Sequence, residues 1–527
     1  MKEYYLKRNV QIEPLFNQWY AHPLLIPPAT AAMFIMNSHI NIMKSYVQMP
    51  MAHAAALQNP DMIGGPFIDY GGERVKEIND LLHNTEASLV KMTDLAESIK
   101  ELYHILKNKA KGYPLLDLYK EIPEGINGYI ELNYDLENQP SFRVIEKLFY
   151  GSSFYQEASQ SIALNLITSD DRPFIFSTPR LDEEEIIHLP FSFASPEVDF
   201  LSELKWRPKP LDEISEVLGL VNGQREGLEN LLTLEAPKQP EKYDQENIRV
   251  RYFGHACILI ETKGVCIMAD PLLSYDYDTD LDRFTYEDIP AVIDHVVITH
   301  NHHDHIVFET LIQLRSRIKN IIVPKSNGSL HDPSMKLILE QIGFQSVIEL
   351  DDLQSLPIEF GSITSVPFFG EHCDLNIRSK STYLVKLREK SYLICADSNS
   401  MSAEVYKNVR EQVGPVDTLF ISLECTGSPM SWAYGALFPK KIDRKLDQVR
   451  RANGSDSVRA LEMVDIFSVK RVFLYAMGLE PWLNYFMALQ HGHTEDSSQE
   501  TDLLMQACKD RGVDAEKLYA KKELIDS

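Results

Sequence analysis

His295-Val296-Val297-Ile298-Thr299-His300-Asn301-His302-His303-Asp304-His305-Ile306-Val307-Phe308 decides how this chain folds and where its chemistry sits. Val296 to Thr299 read as a buried strand, because β-branched residues fill it without a polar break. Ile306, Leu311, Ile312 and Leu314 then recur at helical spacing, with Arg315 and Arg317 near the end. Between strand and helix lies the pattern His-x-His-x-Asp-His. Residues two apart in an extended segment point the same way, so His300 and His302 can grip one metal ion. Asp304 and His305 follow the turn and can face a second. Imidazole and carboxylate at such spacing are metal ligands by chemistry, and a polar loop rarely gathers so many histidines.

Outward from this motif, the pattern on either side alternates strands with helices. Upstream, Ile248 to Phe253 leads into Gly254-His255-Ala256, and Val265 to Ala269 ends at Asp270-Pro271. Downstream, Ile363 to Phe369 precedes Gly370-Glu371-His372-Cys373-Asp374, and Ser391 to Ala396 ends at Asp397. An acid at a strand tip is well placed to bridge two metals. Ser422-Leu423-Glu424-Cys425 ends another strand. Glu424 there meets the cluster or a substrate ammonium, or closes a buried salt bridge, and the sequence leaves these open.

The 527 residues allow two or more domains. A Pro-containing polar linker, residues 235–246, puts the boundary near 245, giving units 1–245 and 246–527. The first reads as α+β. It holds an apolar but irregular start to about residue 70, a helical stretch over 73–109 with a break at Asn84-Thr85, and short strands including Phe174–Phe176. Its early apolar residues pack either on the next domain or on another subunit. With 44% hydrophobic and 24% charged residues the composition is that of a globular protein, and a net charge of −25 argues against nucleic acid and anionic membranes. Six cysteines without a Cys-x-x-Cys pair read as reduced thiols. Met1 to Tyr5 carry no signal-peptide core, and the longest apolar run is broken at Pro27-Pro28. The expectation is a cytoplasmic protein without a membrane span.

His300, His302, Asp304, His305 and Asp397, with Gly254-His255-Ala256 and Asp270-Pro271, resemble the metallo-β-lactamase superfamily over residues 246–490. The resemblance implies an αββα sandwich with a dinuclear site at one edge. Two departures set this chain apart from the zinc hydrolases of that superfamily. The third motif is Glu371-His372, and the late strand ends Ala476-Met477-Gly478 with no histidine; His491 and His493 follow in a polar loop. Adjacent strand-end residues point to opposite sides, so Glu371 and His372 are not expected to bind the same cluster. With Glu371 as ligand the set is three histidines and three carboxylates, His300, His302, His305, Asp304, Glu371 and Asp397. Such an oxygen-rich set suits iron better than a closed zinc site.

These departures resemble the non-haem di-iron β-hydroxylases of nonribosomal peptide and antibiotic biosynthesis. So do Glu424 to Trp432, Ala476 to Trp482 and Ile12 to Trp19. The resemblance implies an O2-dependent monooxygenase with two Fe ions, an external electron donor or reductase, and a homodimer built with the N-terminal domain. The implied substrate is an amino acid held as a thioester on a carrier domain of a nonribosomal peptide synthetase. His255, Asp270 and His303 are expected to orient ligands, and Trp432 and Tyr434 to line the substrate channel. Lys440, Lys441, Arg444 and Lys445, with Arg450 and Arg451 behind them, form the densest basic patch for an acidic carrier. The rival readings are a dinuclear zinc hydrolase of an ester, lactone or thioester, acting through His372, and a non-catalytic metal-stabilised scaffold.

Overall fold

The computed structural model describes residues 2–59, 62–220, 224–487 and 494–527. His491 and His493 lie outside these described residues. From Ile248 onward the chain builds two seven-stranded sheets. The first runs, edge to edge, Val347–Leu350, Ile318–Pro324, Ile293–Val297, Val265–Ala269, Ile258–Thr262, Ile248–Tyr252 and Lys522–Asp526. The second runs Ser355–Ile358, Gly361–Val366, Thr382–Leu387, Lys390–Ile394, Thr418–Ile421, Arg471–Leu474 and Asp514–Lys517. Their last strands, Asp514–Lys517 and Lys522–Asp526, follow one another in sequence, one in each sheet.

Period-2 alternation explains the layering. In Ile248–Tyr252, residues Ile248, Val250 and Tyr252 enter the core between the sheets, where they meet Val385, Ile394, Phe420 and Phe473. Arg249 and Arg251 point to the other face and share Glu261 at 3.1 and 3.0 Å. In Thr418–Ile421, Phe420 faces the inter-sheet core, while Leu419 and Ile421 face the helices Ala403–Val413 and Ser457–Phe467. The helices Phe308–Leu314 and Met335–Gln341 cover the opposite side. The result is an αββα sandwich.

The N-terminal region is more regular than its sequence suggests. Val10–Phe16 is a strand flanked by Trp19–Tyr20 and Gln160–Leu166. It is buried along its whole length, its alternating Gln11 and Glu13 included, which pair with Glu309 and Arg180. Helices Pro28–Phe34, Ile40–Gln48 and Pro50–Leu57 follow, the first two joined by a π turn over Ile35–His39. The helical stretch is two helices, Val75–Ser88 and Val90–Lys109, but they divide at Leu89 and not at Asn84-Thr85. Thr85 stays helical because its hydroxyl donates to the Leu81 carbonyl at 2.7 Å while accepting from Asn17. Phe174–Phe176 forms no strand; Ile175 makes a single backbone bond, to Tyr485.

Leu24, Leu25, Ile26 and Met33 are buried in a core that continues into Met268, Val296 and Leu311 under the first sheet. The early apolar stretch is therefore covered within the chain. Glu309, on the helix that follows the histidine motif, fastens the two parts. It accepts from Gln11 (3.0 Å), Tyr20 (3.2 Å) and Tyr275 (2.7 Å) and pairs with Arg172 at 3.3 Å. No described helix is long and apolar enough to cross a membrane.

Candidate metal centre

The site forms where strands of both sheets end and their loops converge. The strand Ile293–Val297 stops short of Thr299, and His300 to His305 occupy the following turn. Asp397 lies three residues beyond Lys390–Ile394, and Glu424 three beyond Thr418–Ile421. Glu371 sits in a loop five residues past Gly361–Val366. His255, Asp270, Glu371, Ala396, Cys425 and Ala476 all have positive φ. Backbone strain of this kind costs about 1–3 kcal/mol per residue and persists where surrounding packing imposes it.

Metal-ligating atoms converge in overlapping groups. His300, His305 and Asp397 form one within 4.8 Å; Glu371, Asp397 and Glu424 form a second; His255, Asp304 and His305 form a third. The His305 Nε2 atom is 2.9 Å from Asp397 and 3.4 Å from Asp304. His300 Nε2 is 3.7 Å from Asp397. His302 presents Nδ1 to Glu371 at 3.3 Å. Both His300 and His305 thus face the same Asp397 oxygen, Oδ2, while its Oδ1 is free.

The protein alone does not satisfy this arrangement. His300 Nε2, His305 Nε2, Glu371 Oε2 and Asp397 Oδ1 are buried and make no hydrogen bond. Burial, and then the nearby Glu424 and Asp397, push the Glu371 carboxyl well above its usual range. Burial, and then Asp397 and Asp304, push Glu424 up to about 8. Burial holds His300 well below the usual imidazole range and His302 at about 4, leaving neutral rings whose lone pairs are free for a metal. His305 is the exception: burial lowers it, but Asp304, Asp397 and Asp270 together outweigh burial and hold it charged. Carboxylates that outnumber the one charged imidazole among them, beside the neutral His300 and His302, are the donor set of a multivalent metal site.

Polar partners orient the same residues. Asp270 accepts from the Thr299 backbone at 2.7 Å and its hydroxyl at 2.6 Å, and lies 2.8 Å from His305 Nδ1, which aims Nε2 into the site. His255 Nε2 meets Asp304 at 2.9 Å. Ala476, where a hydrolase of the superfamily would carry its last histidine, donates its N–H to the His255 carbonyl. Glu424 has no ion pair among the described residues.

Four placements differ from the sequence reading. Glu371 does not end a strand, and Gly370 and Glu371 both have positive φ, so strand alternation does not separate Glu371 from His372. The His372 ring lies 4.4 Å from that of His302, beside the same cluster. Its Nδ1, however, is 2.5 Å from the Tyr434 hydroxyl, which also stands 3.1 Å from His302 Nε2. Tyr434 therefore touches the candidate ligands themselves; its separation of 132 residues from His302 hid this contact. His303 stacks on His22 at 4.4 Å, with Phe176 and Trp432 around it, and so faces the N-terminal region. Lys440, Lys441, Arg444 and Lys445 are exposed, whereas Arg450 and Arg451 are tied to loop carbonyls and leave the basic patch.

Known proteins resemble this chain over its whole length. Residues 5–237 match the diiron non-heme beta-hydroxylase N-terminal domain, and residues 249–382 match a beta-lactamase superfamily domain. The 4-amino-L-phenylalanyl-(CmlP-peptidyl-carrier-protein) 3-hydroxylase of Streptomyces venezuelae is 36% identical over 533 aligned residues, covering 99% of each chain. The crystal structure of CmlA, a diiron beta-hydroxylase from Streptomyces venezuelae, superposes with a TM-score of 0.92 at 35% identity, again over 99% of both. A UPF0173 protein of Pyrococcus abyssi is 29% identical over 182 residues, 33% of this chain and 70% of that one. The full-length likeness, together with the carboxylate-rich site, shows that this chain belongs to the non-haem di-iron β-hydroxylase family.

Proposed function

We propose that this protein hydroxylates the β-carbon of an amino acid held as a thioester on a carrier domain of a nonribosomal peptide synthetase. The observation that carries the reading is Glu371 beside His302, a carboxylate where zinc hydrolases of the fold place a histidine. The relative's printed substrate, an aminoacyl group on a peptidyl carrier protein, supports the substrate class. Two iron ions, with O2 and electrons from an external donor, supply the oxidising chemistry.

This chain's residues hold and aim that centre. His300, His302, Asp304, His305, Glu371 and Asp397 would hold the two metals. Asp270, Thr299, His255 and Tyr434 fix the rings and carboxylates that do so. Glu424, lacking an ion-pair partner among the described residues, meets the ammonium group of the aminoacyl substrate. Trp432, partly exposed and edge-on to Phe176, lines the approach with Tyr434. Lys440, Lys441, Arg444 and Lys445, with the exposed apolar Leu446 and Val449, offer an acidic carrier a basic rim around an apolar contact. Residues 1–245 and 246–527 act as two units, the first also joining a second copy into a homodimer, in the cytoplasm.

Metal analysis of protein purified without added metal tests the core of this reading, and Glu371→Ala tests its carrying residue. The expected results are two irons in the wild type and loss of iron and hydroxylation in the variant. Two zinc ions with O2-independent hydrolysis, or a Glu371→Ala protein that keeps both metals and its rate, would overturn it.

A further inference from the structure

Five consecutive residues, Arg450-Arg451-Ala452-Asn453-Gly454, touch all three loops that carry Glu371, Asp397 and Glu424. The contacts at the Glu371 loop are backbone and side chain. The Asn453 carbonyl accepts from the Glu371 N–H at 3.3 Å, and the Arg450 guanidinium donates twice to the Cys373 carbonyl, at 3.1 and 2.6 Å. At the Asp397 loop, the Asn399 side-chain amide donates to the carbonyls of Asn453 (3.2 Å) and Gly454 (2.8 Å). At the Glu424 loop, Arg451 donates to the Gly427 carbonyl at 2.8 Å, and the Ala452 carbonyl accepts from the Gly427 N–H at the same distance.

The packing is as close as the hydrogen bonding. A Cβ on Gly370 would stand 2.5 Å from the Asn453 oxygen, one on Gly427 2.9 Å from the Ala452 Cβ, and one on Gly454 3.2 Å from the Glu424 Cβ. Ala452 is buried in a small apolar cluster with Cys373 and Met430. None of these carboxylate loops belongs to a sheet at the relevant residue, so the strands alone do not fix their separation. Glu371, Asp397 and Glu424 bring ligand atoms within 4.8 Å of one another, a closeness that the backbone bonds from the Asn399 N–H to Phe369 and from the Ser422 N–H to Ala396 fix only for the loop bases.

We propose that residues 450–454 are a strap that sets the spacing of Glu371, Asp397 and Glu424, with Arg450 and Arg451 as positioning residues of the carboxylate half of the site. The inference rests on reading the site as a two-metal centre, and the test separates the two ideas. The strap's side chains hydrogen-bond loop carbonyls and no metal-ligating atom, and the Arg451 charge also acts on the Glu424 carboxyl, lowering it.

Full-length apo-protein is titrated anaerobically with Fe(II), and in parallel with Co(II), whose visible bands report each occupied site. Arg450→Met and Arg451→Met are compared with wild type, with Arg450→Lys as the conservative variant and Arg511→Met, an exposed arginine paired with Asp465, as control. Gly454→Ala, which presses a methyl on Glu424, reaches the same target without removing an arginine. Expected are two equivalents in wild type and control, with the second weakened at least ~10-fold and its Co(II) bands altered in Arg450→Met, Arg451→Met and Gly454→Ala, and partial recovery in Arg450→Lys. Thermal unfolding identifies any variant that fails to fold, and the remaining variants then carry the test. Folded variants that bind both metals with wild-type affinity and bands would overturn the strap. A wild type that binds fewer than two metals would overturn the two-metal reading and the strap with it.

Discussion

Removing one oxygen atom from Tyr434 tests how the histidine half of the centre is organised. With Nδ1 of His302 turned to Glu371 and the metal position, its proton belongs on Nε2, 3.1 Å from the Tyr434 hydroxyl. Tyr434 accepts there and donates onward to His372 Nδ1 at 2.5 Å. The ring of Tyr434 is buried, and Phe fills the same space, so Tyr434→Phe deletes two hydrogen bonds with little change in packing. A buried polar group left unpaired costs about 1–3 kcal/mol. In the folded apo-protein one of the two histidines can relax, so the expected loss of stability is about 1–3 kcal/mol. Metal binding suffers separately, because His302 no longer has a partner that selects its Nε2–H tautomer. Partners of this kind are worth ~10–100-fold in affinity, or about 1.4–2.7 kcal/mol. The assay is anaerobic metal titration of wild type and Tyr434→Phe at matched pH, with denaturant unfolding of both apo-proteins. A variant with unchanged metal affinity would refute the tautomer argument, even if its stability fell.

Two further perturbations act away from the metals. Glu146 of the N-terminal region accepts from the Ser334 N–H at the start of Met335–Gln341, and burial, then Asp332 and Glu349, raise its carboxyl from 4.5 to about 7. The native protein thus keeps this proton to higher pH than the unfolded chain, so the stability Glu146 contributes is present below its unfolded pKa and is lost as pH rises toward 7. The loss amounts to ~3 kcal/mol. Glu146→Gln should gain stability relative to wild type between about pH 5 and about pH 8; equal differences at both pH values would contradict this. Charge reversal at Lys440, Lys441 and Arg444 should slow turnover of carrier-bound substrate, with a weaker salt dependence, while metal content stays unchanged; an unaltered rate removes this face as the docking site.

The legible half of the centre was local. His300 to His305 sit in one turn, although His300 gathers with His305 and Asp397, and Asp304 with His255 and His305, not two by two as the spacing suggests. Asp397 and Glu424 were legible as acids following buried strands. Long-range contact escaped pattern reading: Tyr434 against His302, and the 450–454 strap across three loops. Alternation misled at Glu371-His372, because two successive positive-φ residues replace the strand on which that rule depends. In the fold, strands alternating with helices were legible after residue 246 and the sandwich came from the family resemblance, whereas Val10–Phe16 went unread because its alternating Gln11 and Glu13 are buried too, paired with Glu309 and Arg180. The two closing strands at 514–526 are half-exposed sheet edges, with little apolar signal to mark them.

The central claim, oxygen insertion at a carrier-bound amino acid, meets its most direct test in intact mass spectrometry. The iron-loaded protein is reduced anaerobically, mixed with a panel of aminoacyl-carrier substrates and exposed to O2. The account predicts that one substrate gains a single oxygen atom on the aminoacyl group, with the thioester intact and no gain without O2 or reductant. Release of the amino acid by thioester hydrolysis, at the same rate with and without O2, would contradict it.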